Sequence, residues 1–146
     1  MLDLYKIAKE FRMAIETALK DGEIKEMQGF PVGRCAYASE LLQRYLIEQY
    51  EFFTWYMSGE YGNGETGESH AWIETQDHSV VIDITGDQYK NKKPKFTEPV
   101  YVGSREDGFH DKFRLHKPVT YIREKDPFGK YREFDRRYEA VLNHLK

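Results

Sequence analysis

The sequence predicts an α+β fold in which two N-terminal helices, a small antiparallel sheet and a C-terminal helix follow one another. Apolar residues recur at helical spacing near both ends of the chain, whereas the middle holds β-branched and aromatic runs that are typical of strands. The 146 residues, 40% of them hydrophobic, suffice to bury one core. Residues 1–146 are therefore expected to form a single domain.

Two helices are predicted in the first fifty residues. Residues 2–20 place their apolar side chains on one helical face, and Asp21-Gly22 ends the pattern. A stiff connection over residues 29–33 then leads into a second helical pattern, at whose start Cys35 lies. A last helix is predicted over residues 130–145 and is expected to pack against the first.

Strand patterns occupy residues 52–57, 70–75, 79–85 and 100–102. The second and third of these flank the polar segment Gln76-Asp77-His78, which predicts an antiparallel hairpin. Residues 59–69 read as a glycine-rich loop next to that hairpin. Its carboxylates, Glu60, Glu65 and Glu68, predict a preference for cationic or amine-bearing groups near the loop.

Composition and charge exclude several classes of protein. No apolar run approaches the roughly 20 residues needed to cross a bilayer, and no secretory signal pattern is present, so a cytoplasmic protein without membrane partners is expected. The net charge of -3 speaks against general nucleic-acid binding, and the short lysine and arginine runs are read as solvated faces. A protein or peptide is the expected partner.

Cys35 is the chain's one cysteine, so an internal disulfide and a multi-thiolate zinc site are excluded. A thiol acts as a nucleophile in its thiolate form, which the free N–H groups and the dipole at a helix start favour. The alternative interpretation is a small buried side chain that fills the core. The position of Cys35 at the start of a predicted helix makes it a candidate nucleophile.

His70 and Asp83 are the candidate base and orienting carboxylate. A two-residue turn at Asp77-His78 places His70 and Asp83 as diagonal neighbours on one face of the hairpin, about 7 to 8 Å apart at the backbone. A turn one residue longer would move Asp83 to the other face. Each residue alone also has a structural interpretation, but together with Cys35 they predict a catalytic triad.

Three segments resemble the Cys, His, Asp core of transglutaminase-like thiol enzymes, within the wider papain-like superfamily. They are Gly33-Arg34-Cys35, His70-Ala71-Trp72-Ile73-Glu74 and Asp83-Ile84-Thr85. The resemblance covers about residues 31–89 and extends to compact papain-fold domains of bacterial toxins and peptide-modifying systems. It implies a papain-like core, with Cys35 as nucleophile, His70 as general base and acid, and Asp83 as orienting carboxylate.

The resulting hypothesis is a cysteine hydrolase or acyltransferase that acts on a peptide bond or a glutamine side chain through a thioester. It needs no metal or cofactor. The alternative is a catalytically inactive domain of the same fold that binds a protein or peptide. His110 is the rival base if His70 is structural, but no predicted strand register links it to a carboxylate on the same face.

An amide-cleaving thiol also needs donors for the oxyanion that forms on the substrate. The backbone N–H of Cys35 is one candidate, and Gln28, seven residues upstream, is a side-chain candidate that ranks ahead of Gln88. Trp72, on the face predicted for His70, either shields the imidazole, lines the acyl pocket or serves as a core indole.

Overall fold

The computed structural model describes residues 1–62, 67–119 and 132–145. Within them the chain forms three α-helices and a five-stranded antiparallel sheet, which confirms the α+β class. The helices are α1 (Leu4–Lys20), α2 (Cys35–Tyr50) and α3 (Arg132–Leu142). The strands are β1 (Thr54–Tyr61), β2 (Ser69–Thr75), β3 (Val81–Asp83), β4 (Tyr101–Gly103) and β5 (Phe113–Leu115). Short 3₁₀ helices cover Lys25–Met27, Gly86–Tyr89 and His110–Lys112.

The helices follow the apolar pattern of the sequence. α1 begins after Asp3, whose side chain accepts a hydrogen bond from the backbone N–H of Lys6 at 3.1 Å. It buries the face that carries Phe11 and Ile15 and packs against α3, as predicted. α3 ends at Leu142, three residues earlier than predicted, and the predicted residues 130 and 131 lie outside the described part of the chain.

The sheet has the strand order β4-β3-β2-β1-β5. Between β2 and β3, Ile73 pairs with Ile82 and Glu74 with Val81, which is the register that the sequence predicted. The turn is wider than expected: the N–H of Thr75 still bonds the carbonyl of Val80 at 3.0 Å, so residues 76–79 form it instead of two residues. The wider turn leaves the register of the two strands unchanged, so their side chains lie on the predicted faces.

Other strand boundaries were predicted less well. β1 runs to Tyr61 and includes Gly59, so the glycine-rich loop is shorter than the predicted residues 59–69, and its residues 63–66 are not described. β3 is limited to three residues, and β5 was missed. A strand of three residues offers no alternation long enough to recognise.

Apolar side chains pack on both faces of the sheet. One cluster joins the helices to the face that carries Ile73 and Ile82. The second covers the opposite face and is mostly aromatic; its buried members are Met57, Trp72, Val81, Tyr89, Phe109 and Phe113. His70 and Asp83 share the face of this second cluster, which places both of them in a dry environment. Among the described helices, none combines the length and apolar character needed to cross a membrane.

Candidate active site

Cys35 is the first residue of α2, as predicted, and is partly exposed. Arg34, at the N-cap position, makes no side-chain capping bond, so the first N–H groups of the helix remain available to an anion. The charge and imidazole of His70, the backbone of Ala71 and the side chain of Gln88 lie near enough to the thiol to lower its pKa. The predicted placement of His70 next to the thiol is therefore present in the structure.

His70 connects the thiol to a buried carboxylate. Its Nε2 lies 2.7 Å from Oδ2 of Asp83, so the diagonal contact predicted from the hairpin register is confirmed. Its Nδ1 lies on the other side of the ring, 2.6 Å from the side-chain nitrogen of Gln88. Trp72 stacks on the ring with 5.6 Å between centroids, and Tyr89 meets it edge-on at 5.3 Å. These contacts fix both the position and the plane of the imidazole.

Asp83 accepts hydrogen bonds from more groups than the sequence suggested. Its Oδ1 accepts the backbone N–H of Thr85 at 2.8 Å, while Oδ2 is 2.7 Å from Nε2 of both His70 and His110. His110 thus contacts a carboxylate through tertiary packing, without the strand register whose absence counted against it in the sequence. His110 lies in a 3₁₀ helix of three residues, a segment too short for any sequence periodicity to place it.

Charge interactions within this cluster set the protonation of the thiol. Burial disfavours the charged imidazolium of His70, but the Asp83 carboxylate outweighs that effect and raises the pKa of His70 to about 9. Burial likewise opposes ionisation of Cys35, yet the hydrogen bond and charge of His70 bring the thiol pKa below its ordinary value. Burial opposes ionisation of Asp83 as well, but the charge of His70 and the hydrogen bonds of His70 and His110 hold the pKa of the Asp83 carboxyl well below its usual range. The pKa shifts of Cys35 and His70 both act in the direction that favours a thiolate at Cys35 and a protonated imidazole at His70.

The two candidate glutamines lie in different surroundings. Gln88 is buried in the 3₁₀ helix Gly86–Tyr89, and its side chain helps to lower the thiol pKa, so it is a candidate oxyanion donor beside the N–H of Cys35. Gln28 is exposed at the end of the 3₁₀ helix Lys25–Met27. Of the two, Gln88 is the glutamine at the thiol, because the turn after β3 leads back towards the start of α2.

Trp72 shields the imidazole and does not line an open pocket. Its side chain is fully buried, and its indole N–H donates to Oε2 of Glu74 at 2.8 Å. Glu74 is itself buried and accepts two further bonds from the guanidinium of Arg105, at 2.8 and 2.6 Å. This second network, which the sequence did not indicate, holds the indole against His70.

His70, Asp83 and His110 also form a set of residue types that bind transition metals, and their ligand atoms lie within 4.8 Å of one another. Both Nε2–Oδ2 distances are 2.7 Å, a length typical of charge-assisted hydrogen bonds. Hydrogen bonds therefore hold these three side chains together.

The carboxylates of the glycine-rich loop are partly neutralised. Glu60 pairs with Arg114 at 2.8 Å and Glu68 with Lys92 at 3.0 Å, whereas Glu65 lies outside the described residues. The acidic character predicted for this side of the site is reduced accordingly.

Comparisons with protein-family models, with curated proteins and with solved structures found no match to this chain. Functional conclusions about it therefore rest on the arrangement of its own side chains.

Proposed function

We propose that the protein is a thiol-dependent hydrolase or acyltransferase that acts on an amide, either a peptide bond or a glutamine side chain. The observation that carries the proposal is the position of the His70 imidazole, which lies 2.7 Å from the Asp83 carboxylate and lowers the pKa of the Cys35 thiol. A nucleophile, a base and a group that orients the base are the three parts that covalent amide cleavage requires.

The chemistry follows from these positions. The Cys35 thiolate attacks the amide carbon, and the negative charge that develops on the carbonyl oxygen is met by the N–H of Cys35 and the amide of Gln88. The His70 imidazolium gives its proton to the leaving nitrogen, the C–N bond breaks and a thioester remains on Cys35. His70 then removes a proton from water or from an amine as that nucleophile attacks the thioester, and the thiol is regenerated.

The order and spacing of these residues also support a transglutaminase-like, papain-like origin of the core. Cys35 opens a helix that packs on the sheet, His70 lies in β2, and Asp83 ends the adjacent β3. This is the arrangement that the resemblance of the three sequence segments implies. The triad can activate either water or an amine as the acceptor of the acyl group.

The proposal is tested by the reactivity of Cys35. Iodoacetamide alkylation, followed by mass spectrometry across a pH series, should show a reactive thiolate at a pH where an ordinary thiol is protonated, because the His70 charge lowers the thiol pKa. His70→Asn should move the profile up to that of an ordinary thiol. The matched control His116→Asn, which changes an exposed imidazole, should leave the profile unchanged.

Turnover is measured in parallel with glutamine-bearing peptides, by ammonia release, peptide cleavage and incorporation of a labelled amine. Cys35→Ala should abolish all three signals. An ordinary pH profile for the wild-type thiol, together with peptide binding but no turnover, would instead identify an inactive binding domain. Turnover that survives Cys35→Ala would rule out thiol chemistry.

A further inference from the structure

A groove of about 340 Å³ adjoins the candidate active site. Gly29–Val32, the segment that leads towards α2, forms one wall, and the other wall comes from residues 87–92. Gln88 lines the groove, and its side-chain nitrogen lies 2.6 Å from Nδ1 of His70. The groove therefore reaches the candidate triad through Gln88.

The wall nearer to α2 is apolar. It is built from Phe30, Pro31 and Val32, and the Val32 side chain is 57% exposed. Phe30 is held in place by the guanidinium of Arg12, which lies 5.0 Å from the centre of its ring. An exposed apolar surface beside a nucleophile is suited to the side chain of a substrate residue.

The opposite wall carries positive charge. Its carboxylate, Asp87, is neutralised by two bonds from the buried guanidinium of Arg12, at 2.6 and 2.8 Å. Lys92 pairs with Glu68 at 3.0 Å and lies over the ring of Tyr89, with its ammonium 4.9 Å from the ring centre. The exposed Lys90 therefore gives this wall a net positive charge, which a negatively charged side chain complements.

We propose that this groove binds the acyl-donor peptide and selects a segment in which an apolar residue stands next to an acidic one, beside the amide that Cys35 attacks. The inference rests on the proposed function for the role of the thiol. Binding in the groove itself does not require a reactive thiol, so the two proposals are tested separately.

Binding is measured with the full-length Cys35→Ala protein, which cannot turn over substrate. Fluorescence anisotropy with three short rhodamine-labelled peptides gives Kd values; the peptides share a central glutamine and differ in the neighbouring pair, which is leucine–glutamate, leucine–lysine or serine–glutamate. The leucine–glutamate peptide should bind about threefold to tenfold more tightly than the leucine–lysine peptide, since one surface charge contact is reversed. High salt should reduce the difference.

Substitutions in the two walls locate the binding site. In the Cys35→Ala background, Lys90→Glu should weaken the leucine–glutamate peptide and strengthen the leucine–lysine peptide. Val32→Ser, at an exposed position that does not threaten folding, should reduce the advantage of leucine over serine. Lys9→Glu makes the same charge change on the exposed face of α1 and should alter neither affinity.

Equal affinity for the three peptides, an unchanged preference in Lys90→Glu, or tighter binding of a single-stranded oligonucleotide than of any peptide would overturn the inference. Alkylation of wild-type Cys35 reports on the thiol independently. A reactive thiol with no peptide preference would refute the groove alone, whereas clear peptide preference with an ordinary thiol would refute the enzymatic proposal and leave a peptide-binding surface.

Discussion

At the scale of single residues, Asp83 connects the parts of the candidate site, because donors from three residues converge on its carboxylate. Both imidazoles bond the same oxygen, Oδ2, while the other oxygen serves the backbone of Thr85. An asparagine offers one accepting oxygen in place of two. It cannot satisfy the imidazoles and Thr85 together.

We expect Asp83→Asn to lower both activity and stability. The loss of a buried acceptor should reduce the free energy of unfolding by about 1 to 3 kcal/mol. Without the carboxylate the pKa of His70 falls from about 9 towards its ordinary value. Because His70 must be protonated to assist the leaving nitrogen, the alkaline limb of the pH–rate profile should move from near pH 9 to lower pH.

The pH–rate profile and urea denaturation check this prediction. His110→Phe serves as the comparison, since it removes the second donor to Oδ2 and keeps the contact between His70 and Asp83. It should reduce kcat more than it changes KM, as expected of a residue that positions Asp83 without touching the substrate. An unaltered alkaline limb in Asp83→Asn would contradict the assigned role of the carboxylate.

At the scale of elements, β1 brings two partners close at Gly59. This residue lies opposite His70 of β2 and Leu115 of β5. A Cβ built on Gly59 would approach the carbonyl oxygen of Arg114 to 2.7 Å, closer than side chains in proteins tolerate. Glycine at this position allows β5 to pair with β1. β5 carries Phe113, whose ring centre lies 5.8 Å from that of His70.

Gly59→Ala should therefore push β5 away from β1 and lower the free energy of unfolding by about 1 to 3 kcal/mol. Hydrogen exchange should accelerate at residues 113–115 before it does in β2. The neighbouring variant Ser58→Ala, whose side chain makes an exposed contact with His116, should have little effect on either measurement. Equal exchange rates in the two variants would show that β5 tolerates a Cβ at residue 59.

The elements also show what could be predicted from the sequence. Cys35 lies on a helix with a long apolar period, and His70 and Asp83 lie on a hairpin whose register was predicted correctly although its turn was not. His110 lies on a 3₁₀ helix of three residues, whose position depends on tertiary packing, and its contact with Asp83 was missed. Gln88, on a similar 3₁₀ helix, was ranked below Gln28 from the sequence, because the position of so short a segment depends on tertiary packing.

At the scale of the whole molecule, Arg12 of α1 ties the first helix to the segment that carries Gln88. Its buried guanidinium donates to the carbonyls of Ile84 and Pro99, at 2.9 and 3.0 Å, and to the Asp87 carboxylate. Arg12 lies among the apolar positions of an amphipathic helix. That pattern does not indicate which distant groups its guanidinium contacts, so the sequence did not predict this contact. It joins parts of the chain that are far apart in sequence.

We expect Arg12→Ala to lower the free energy of unfolding by about 3 to 5 kcal/mol, since it leaves two carbonyls and a carboxylate without their donor. The turn around Gln88 should lose its position, and the thiol pKa should rise. Arg114→Ala, which removes an exposed ion pair with Glu60, is the control and should cost less than about 1 kcal/mol. Similar losses in the two variants would show that Arg12 is not a structural tie.

The contacts that make Cys35 reactive come from residues far along the chain, His70, Ala71 and Gln88. Before the hairpin and the following turn have docked, the thiol is an ordinary one, mostly protonated at neutral pH. The rate of Cys35 alkylation should therefore rise only when folding is complete. The thiolate is also the form that oxidises most readily, so the chain's single cysteine becomes sensitive to peroxide at the end of folding and is protected while the chain is still being assembled.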